Sequence, residues 1–286
     1  MSENSTIQTL LVVGTGTMGG GIAQVAAAAG TTVYLYDLVP GAASKARQRI
    51  EDSLRRAETK GYLTAADRER TVKGLRPIER IDEAREVEAV VEAVREELTV
   101  KQDLFRELEE KMPSGTLFWT NTSMISITEI ARPMRYPERL AGVHFFNPVP
   151  RMKLVEIIAG ERTAEATLLT ADASVRHWGK TPVRAPDRPG FIVNRLLDAL
   201  LREALTLHEE GVPHAEIDIA VRLGLNFPMG PMELMDLVGL DTIQDCLKSQ
   251  AAGMKRPVDC GTDLPRLVAE GKMGKKSGQG FYTYPA

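Results

Sequence analysis

TLLVVGTGTMGGGIAQVAAAAGTTVYLYD, residues 9–37, decides the fold. An apolar run, Leu10 to Val13, leads into a glycine-rich turn. Small helix-forming residues carry the chain to Gly30, and a second apolar run closes on Asp37. Strand, turn, helix and strand in that order form the βαβ unit of a parallel sheet. Gly14, Gly16 and Gly19 stand in the spacing G-x-G-x-x-G. The first permits a tight turn, the second lets the backbone approach a pyrophosphate, and the third lets helix and strand pack closely. The helix start adds unpaired N–H groups and the positive end of its dipole. Alone this pattern is weak, but here a strand precedes it and a helix follows. Asp37 then stands at the end of the next strand, where a carboxylate accepts hydrogen bonds from the adenosine ribose and repels a 2′-phosphate. The expected cofactor is NAD; Lys45 and Arg47 lie downstream on a helix, so NADP is disfavoured rather than excluded.

Working outward, residues 41–73 read as helices with a charged face, and 88–94 as a buried strand followed by a helix over 97–112. Strands follow at TLFW (116–119 with its threonine start), RLAGVHFF (139–146), KLVEII (153–158) and TPVRAP (181–186), with helices over 127–134 and 163–180. Composition changes at APDRPG, residues 185–190, which reads as a linker. Beyond it the pattern is helical over 191–210, 214–223, 230–247 and 262–270, with strand-like alternation only in the terminal GFYTY. The expected architecture is α/β: a Rossmann-type, doubly wound, mostly parallel sheet over residues 1–187, then an all-helical domain over 188–286.

Of 286 residues, 43% are hydrophobic and 26% charged, which supplies a core for one large or two ordinary domains. The net charge of −3 gives no electrostatic case for nucleic acid or an anionic membrane surface. No apolar run approaches the roughly 20 residues that span a bilayer. The polar start MSENSTIQ lacks the order of a secretory signal. Cys246 and Cys260 have no partners at metal-ligand spacing, so they read as reduced thiols, no metal is expected, and the expected setting is cytoplasmic.

The stretch HFFNPVPRMKLVEII, residues 144–158, carries the chemistry. Glu156 stands among Leu154, Val155, Ile157 and Ile158, where a carboxylate is costly unless paired. His144 is the side chain suited to moving a proton near neutral pH. A His144–Glu156 pair would explain both, against an ion pair of Glu156 with Arg151 or Lys153. His177, His208 and His214 have no acid at a telling spacing and read as structural or exposed.

The glycine loop, NTS (121–123), HFFNPVP (144–150) and KLVEII (153–158) occur in one order. With RPGFIVNRLL (188–197), FPMGPMELMDLVGLD (227–241) and GKKSGQGFY (274–282) they resemble the short-form 3-hydroxyacyl-CoA dehydrogenase family over nearly the whole chain. The resemblance implies that NAD accepts hydride from a short- or medium-chain (S)-3-hydroxyacyl-CoA, such as 3-hydroxybutyryl-CoA. It implies His144 as the general base, Glu156 as its partner, and Ser123 and Asn194 as polar groups around the substrate. Gly14, Gly16, Met18, Gly19, Asp37, Glu96, Lys101, Asn121 and Asn147 fall at cofactor positions, and Ser53 and Lys60 where the family contacts CoA. It also implies a homodimer through the helical domain, which closes the cleft. The sequence shows no additional region for hydratase activity, so a single-step enzyme is expected.

The chain departs from the family at Phe118 and Trp119 before the NTS turn and Met124 after it, where small residues are usual. Bulk there would reshape the acyl pocket, or else pack a buried strand. Two other readings stand beside the leading one. The same fold and pair would serve an acyl-carrier-protein thioester or another hydroxy acid, and a silent NAD-binding protein would keep the fold alone.

Overall fold

A computed structural model describes residues 6–84 and 86–285. The chain divides into two compact units, the first ending at Asp187 and the second beginning at Arg188. The first is built on β1 (Thr9–Val13), β2 (Thr32–Tyr36), β3 (Leu75–Pro77), β4 (Ala89–Glu92), β5 (Leu117–Thr120), β6 (Leu140–Phe145), β7 (Leu154–Ile158) and β8 (Thr181–Ala185). They form one sheet in the order β3-β2-β1-β4-β5-β6-β7-β8. All neighbours are parallel except β6 and β7, which run antiparallel. The order reverses between β1 and β4, so their carboxyl ends flank the point where open α/β sheets bind ligands.

The crossovers are α1 (Thr17–Ala28), α2 (Ala42–Thr59), α3 (Ala65–Gly74), α4 (Leu98–Lys111), α5 (Ile127–Ala131) and α6 (Glu165–His177). Leu10 to Val13 of β1 are buried, as a strand covered by helices on both faces requires. The small side chains Ala23, Ala26 and Ala27 let α1 lie close against the sheet.

The helices expected over 41–73 are α2 and α3, the second started afresh where Thr64 and Asp67 cap each other's backbone N–H groups. Two local readings are corrected. The edge strand β3 went unread, being three residues long and ending on Pro77, which edge positions tolerate. The helix expected over 230–247 is divided at Gly239, whose φ of 106° suits glycine.

The second unit is α7 (Val193–Glu209), α8 (His214–Gly224), α9 (Pro231–Val238), α10 (Leu240–Gly253) and α11 (Asp263–Ala269), around Leu201, Leu205, Met232, Met235, Leu240 and Leu264. Its terminal GFYTY is not a strand. The backbone N–H groups of Phe281 and Tyr282 donate to the buried Asp236 carboxylate at 2.9 and 2.8 Å. Asp218 likewise receives the N–H groups of Met232 and Glu233 and the Tyr282 hydroxyl. Burial, and then the Asp218 carboxylate, push the Tyr282 hydroxyl above its ordinary pKa. Among the described residues no helix is long and apolar enough to cross a membrane, and no cluster of three or more His, Cys, Asp or Glu is placed to hold a metal.

Candidate active site

The glycine loop turns where β1 ends. Gly14 has φ of 88°, and a Cβ there would come within 2.6 Å of the Ala93 carbonyl oxygen. A Cβ at Gly19 would come within 1.8 Å of the Gly14 carbonyl, so both positions require glycine for backbone approach. Gly16 differs, with open space where its side chain would be. Room for a ligand beside the start of α1 is what a pyrophosphate needs, and the half-buried Met18 follows one residue into the helix. Asp37 accepts from the Thr15 N–H at 2.8 Å, the Thr15 hydroxyl at 2.9 Å and the Val39 N–H at 3.1 Å. Partial burial raises its pKa, but these bonds and the nearby Arg49 guanidinium outweigh burial and hold the carboxyl below its ordinary range. It is therefore anionic at neutral pH, and the loop and a nucleotide at this position fit one another.

The antiparallel register of β6 and β7 places His144 directly opposite Glu156. His144 Nδ1 lies 2.8 Å from Glu156 Oε2. The residues are 4% and 1% exposed, so the contact is shielded from water. Arg151 and Lys153, the alternative partners, are exposed. The Phe146 ring packs 4.6 Å from the imidazole. A carboxylate on Nδ1 fixes the tautomer that carries its proton there and leaves Nε2 basic.

Next to this pair, β5 runs parallel to β6 with Thr120 opposite Gly142, so the NTS turn leaves the sheet beside His144. Asn121 Oδ1 accepts the Phe145 N–H at 2.8 Å and ties the turn to β6. Glu96 Oε1 accepts from the Thr122 hydroxyl, the Ser123 N–H and the Met124 N–H at 2.6, 2.8 and 3.2 Å. Desolvation pushes the Glu96 pKa up, but the Lys101 ammonium and the donors from Thr122 and Ser123 prevail and hold it low. Lys101 itself is buried, 2.6 Å from Glu92 and 3.2 Å from Glu96. Its ammonium is the main charge that keeps the Glu96 carboxyl ionised. Glu92, missed by sequence reasoning, also accepts the Thr120 hydroxyl at 2.6 Å. Its signal was the one that exposed Glu156, a carboxylate in an apolar strand.

The remaining positions divide. Ser123 is half-buried, and its hydroxyl has no hydrogen-bond partner among the described residues. Asn147 and Ser53 line a cavity of about 240 Å³ that also includes Gly16 and Arg49, whose guanidinium donates to the Thr15 carbonyl at 2.9 Å. Lys60 is exposed at the end of α2, outside that cavity and two turns beyond Ser53. Asn194 is half-buried in the first turn of α7, in the second unit. Trp119 and Phe118 are core: Trp119 meets Trp178 edge-on at 6.0 Å and Phe118 meets Phe105 at 6.0 Å. His208 does have an acid neighbour, Asp263 at 3.5 Å, which sequence spacing hid.

Known proteins place this arrangement. Residues 9–188 match the family described as 3-hydroxyacyl-CoA dehydrogenase, NAD binding domain, and residues 190–284 its C-terminal domain. A 3-hydroxyadipyl-CoA dehydrogenase of Escherichia coli is 45% identical over 98% of the chain, which spans 60% of that protein's length. A probable 3-hydroxybutyryl-CoA dehydrogenase of Bacillus subtilis is 41% identical over 97% of this chain and 98% of its own. The solved (S)-3-hydroxybutyryl-CoA dehydrogenase of Ralstonia eutropha superposes with a TM-score of 0.93 at 34% identity, over 98% of this chain and all of that one. The chain belongs to the 3-hydroxyacyl-CoA dehydrogenase family and is an oxidoreductase with an NAD-binding domain.

Proposed function

We propose that the chain interconverts (S)-3-hydroxyacyl-CoA and 3-oxoacyl-CoA, with His144 as the proton-transferring group. The hydrogen bond of His144 Nδ1 to Glu156 carries this reading. When bound, NAD supplies the hydride acceptor and NADH the donor. The imidazole takes the hydroxyl proton as the C3–H bond breaks, and in reverse returns it to the carbonyl oxygen. Glu156 fixes the ring and stabilises the imidazolium. Ser123 supplies a hydroxyl to orient the substrate oxygen, and the part of Asn194, in the helical unit, is the one the family resemblance implies. The Glu96 carboxylate holds the turn that carries Ser123. Gly14, Gly16, Gly19 and Asp37 would receive NAD, with Met18, Asn121 and Asn147 beside it.

A CoA thioester is favoured over a carrier-protein thioester by α2. Arg49, Ser53, Arg56 and Lys60 recur at a spacing that shares one helix face, giving a basic track for nucleotide phosphates. NADH oxidation with acetoacetyl-CoA tests the activity itself. Lys60→Ala is expected to raise KM for acetoacetyl-CoA about tenfold and leave KM for acetoacetyl-N-acetylcysteamine, which lacks the nucleotide, unchanged. Equal KM changes for both substrates would refute the track. Turnover of the carrier-protein thioester but not of acetoacetyl-CoA would transfer the assignment to that substrate.

The helical unit supports a homodimer. Ile219 and Leu223 lie one turn apart on α8 and are exposed, as are Leu225 and Phe227 beyond it, an apolar patch of the kind that marks protein contacts. Sedimentation velocity at micromolar concentration should find twice the chain mass, and a monomer there would end this reading. Unbridged Cys246 and Cys260 fit the cytoplasmic setting, which cell fractionation tests.

A further inference from the structure

Among the described residues the buried lysines are Lys101 and Lys180. Lys101 lies between two carboxylates. Lys180, 8% exposed, forms no ion pair among the described residues. Its Nζ instead donates to the backbone carbonyls of Val149 and Met152, the latter at 2.8 Å. Burial holds this ammonium below the ordinary lysine pKa. A cation taken out of water with no acid beside it is retained only where its hydrogen bonds are well made.

Both carbonyls belong to one tight turn. Pro148 O accepts the N–H groups of Arg151 and Met152 at 2.9 and 3.0 Å, closing the chain on itself. Lys180 precedes β8 and holds this turn from one side, while α1 holds it from the other. Val149 is buried against Gly21, where an added Cβ would come within 2.8 Å of the Val149 Cβ. The turn's remaining surface, from Asn147 to Pro150, lines the same cavity as Gly16 and Gly20 of the glycine loop and α1 and Arg49 and Ser53 of α2.

We infer that Lys180 is a positioning residue for the cofactor and substrate cleft, fixing the Val149–Met152 turn and so the gap between it and the glycine loop. This rests on the reading that the cavity receives part of the nucleotide. Lys180 itself is not among the residues that line the cavity. The turn joins β6 to β7, but the ladder from Gly142–Ile158 to Phe145–Val155 holds His144 opposite Glu156 on its own pairs, so a loosened turn that keeps this register should spare the chemical step.

Lys180→Met keeps the length of the side chain and removes its donors. By fluorescence titration its Kd for NADH should rise about tenfold, with KM for acetoacetyl-CoA rising alongside and kcat within about twofold of the parent. Val149→Ala loosens the same turn from the α1 side and should raise both constants by less. The double variant should be no worse than Lys180→Met alone, since neighbours that act through one element are not additive. A folded Lys180→Met with the parent's NADH affinity overturns the inference. So does a fall in kcat at constant KM, or additive effects in the double variant. If Lys180→Met does not fold, Val149→Ala decides, and unchanged constants there overturn the inference equally. NADH titration needs no turnover, so failure with acetoacetyl-CoA in the parent would count against the proposed substrate and not against Lys180.

Discussion

His144→Ala is expected to lower kcat about 10³- to 10⁴-fold while NADH binds as before. The variant removes the imidazole but none of the groups at the glycine loop. Gly14 and Gly19 are fixed by backbone approach, and Asp37 by Thr15 and Val39. Hydride leaves a secondary alcohol readily only as its proton departs. The other histidine of the first unit, His177, is exposed at the end of α6 and has no carboxylate bonded to its ring among the described residues. A kcat within about tenfold of the parent would assign the proton to a different group.

Glu156→Gln should lower kcat about 10²- to 10³-fold, with KM changing far less, because the side chain keeps its shape and loses its charge. An amide NH₂ turned toward Nδ1 would put the ring proton on Nε2, the tautomer that cannot accept from substrate. The amide oxygen, turned there instead, keeps the tautomer but stabilises the imidazolium less. Both arrangements cost rate, and neither alters a substrate contact. Full kcat in this variant would reduce Glu156 to a structural role. A fall in thermal stability with unchanged kinetics would do the same.

What the sequence made legible was local. The glycine spacing, the apolar strands on either side of it and Asp37 all lie within about 30 residues and follow from the geometry of one βαβ unit. The helical unit was readable from its periodicity, except where a single glycine conformation at Gly239 divides a pattern that runs through it. GFYTY misled because its alternation comes from aromatic side chains packing and from N–H groups capped by Asp236, not from strand pairing. A short apolar pattern cannot distinguish these.

The site was half legible. His144 and Glu156 stood out by residue type in an apolar setting. Their pairing depends on β7 running antiparallel to β6, a long-range fact that no spacing contains. Glu92, Lys101 and Glu96 are near in sequence, yet their joint hold on the NTS turn depends on β4 and β5 lying side by side. Lys180 gave no signal, because a lysine at a strand start is ordinarily solvated and its burial arises from a turn about 30 residues earlier. The bulk before the NTS turn had two readings, and the edge-on contact of Trp119 with Trp178 decides for core packing.

Steady-state rates report the chemical step only when product release is faster, so the most direct test observes one turnover. Enzyme preloaded with NADH is mixed with acetoacetyl-CoA in a stopped-flow instrument, and loss of NADH absorbance is followed for the parent and for His144→Ala. The account predicts a fast phase consuming one NADH per site in the parent, slowed at least about 10³-fold in the variant, with superimposable NADH titrations. A fast phase of similar rate in His144→Ala would contradict it.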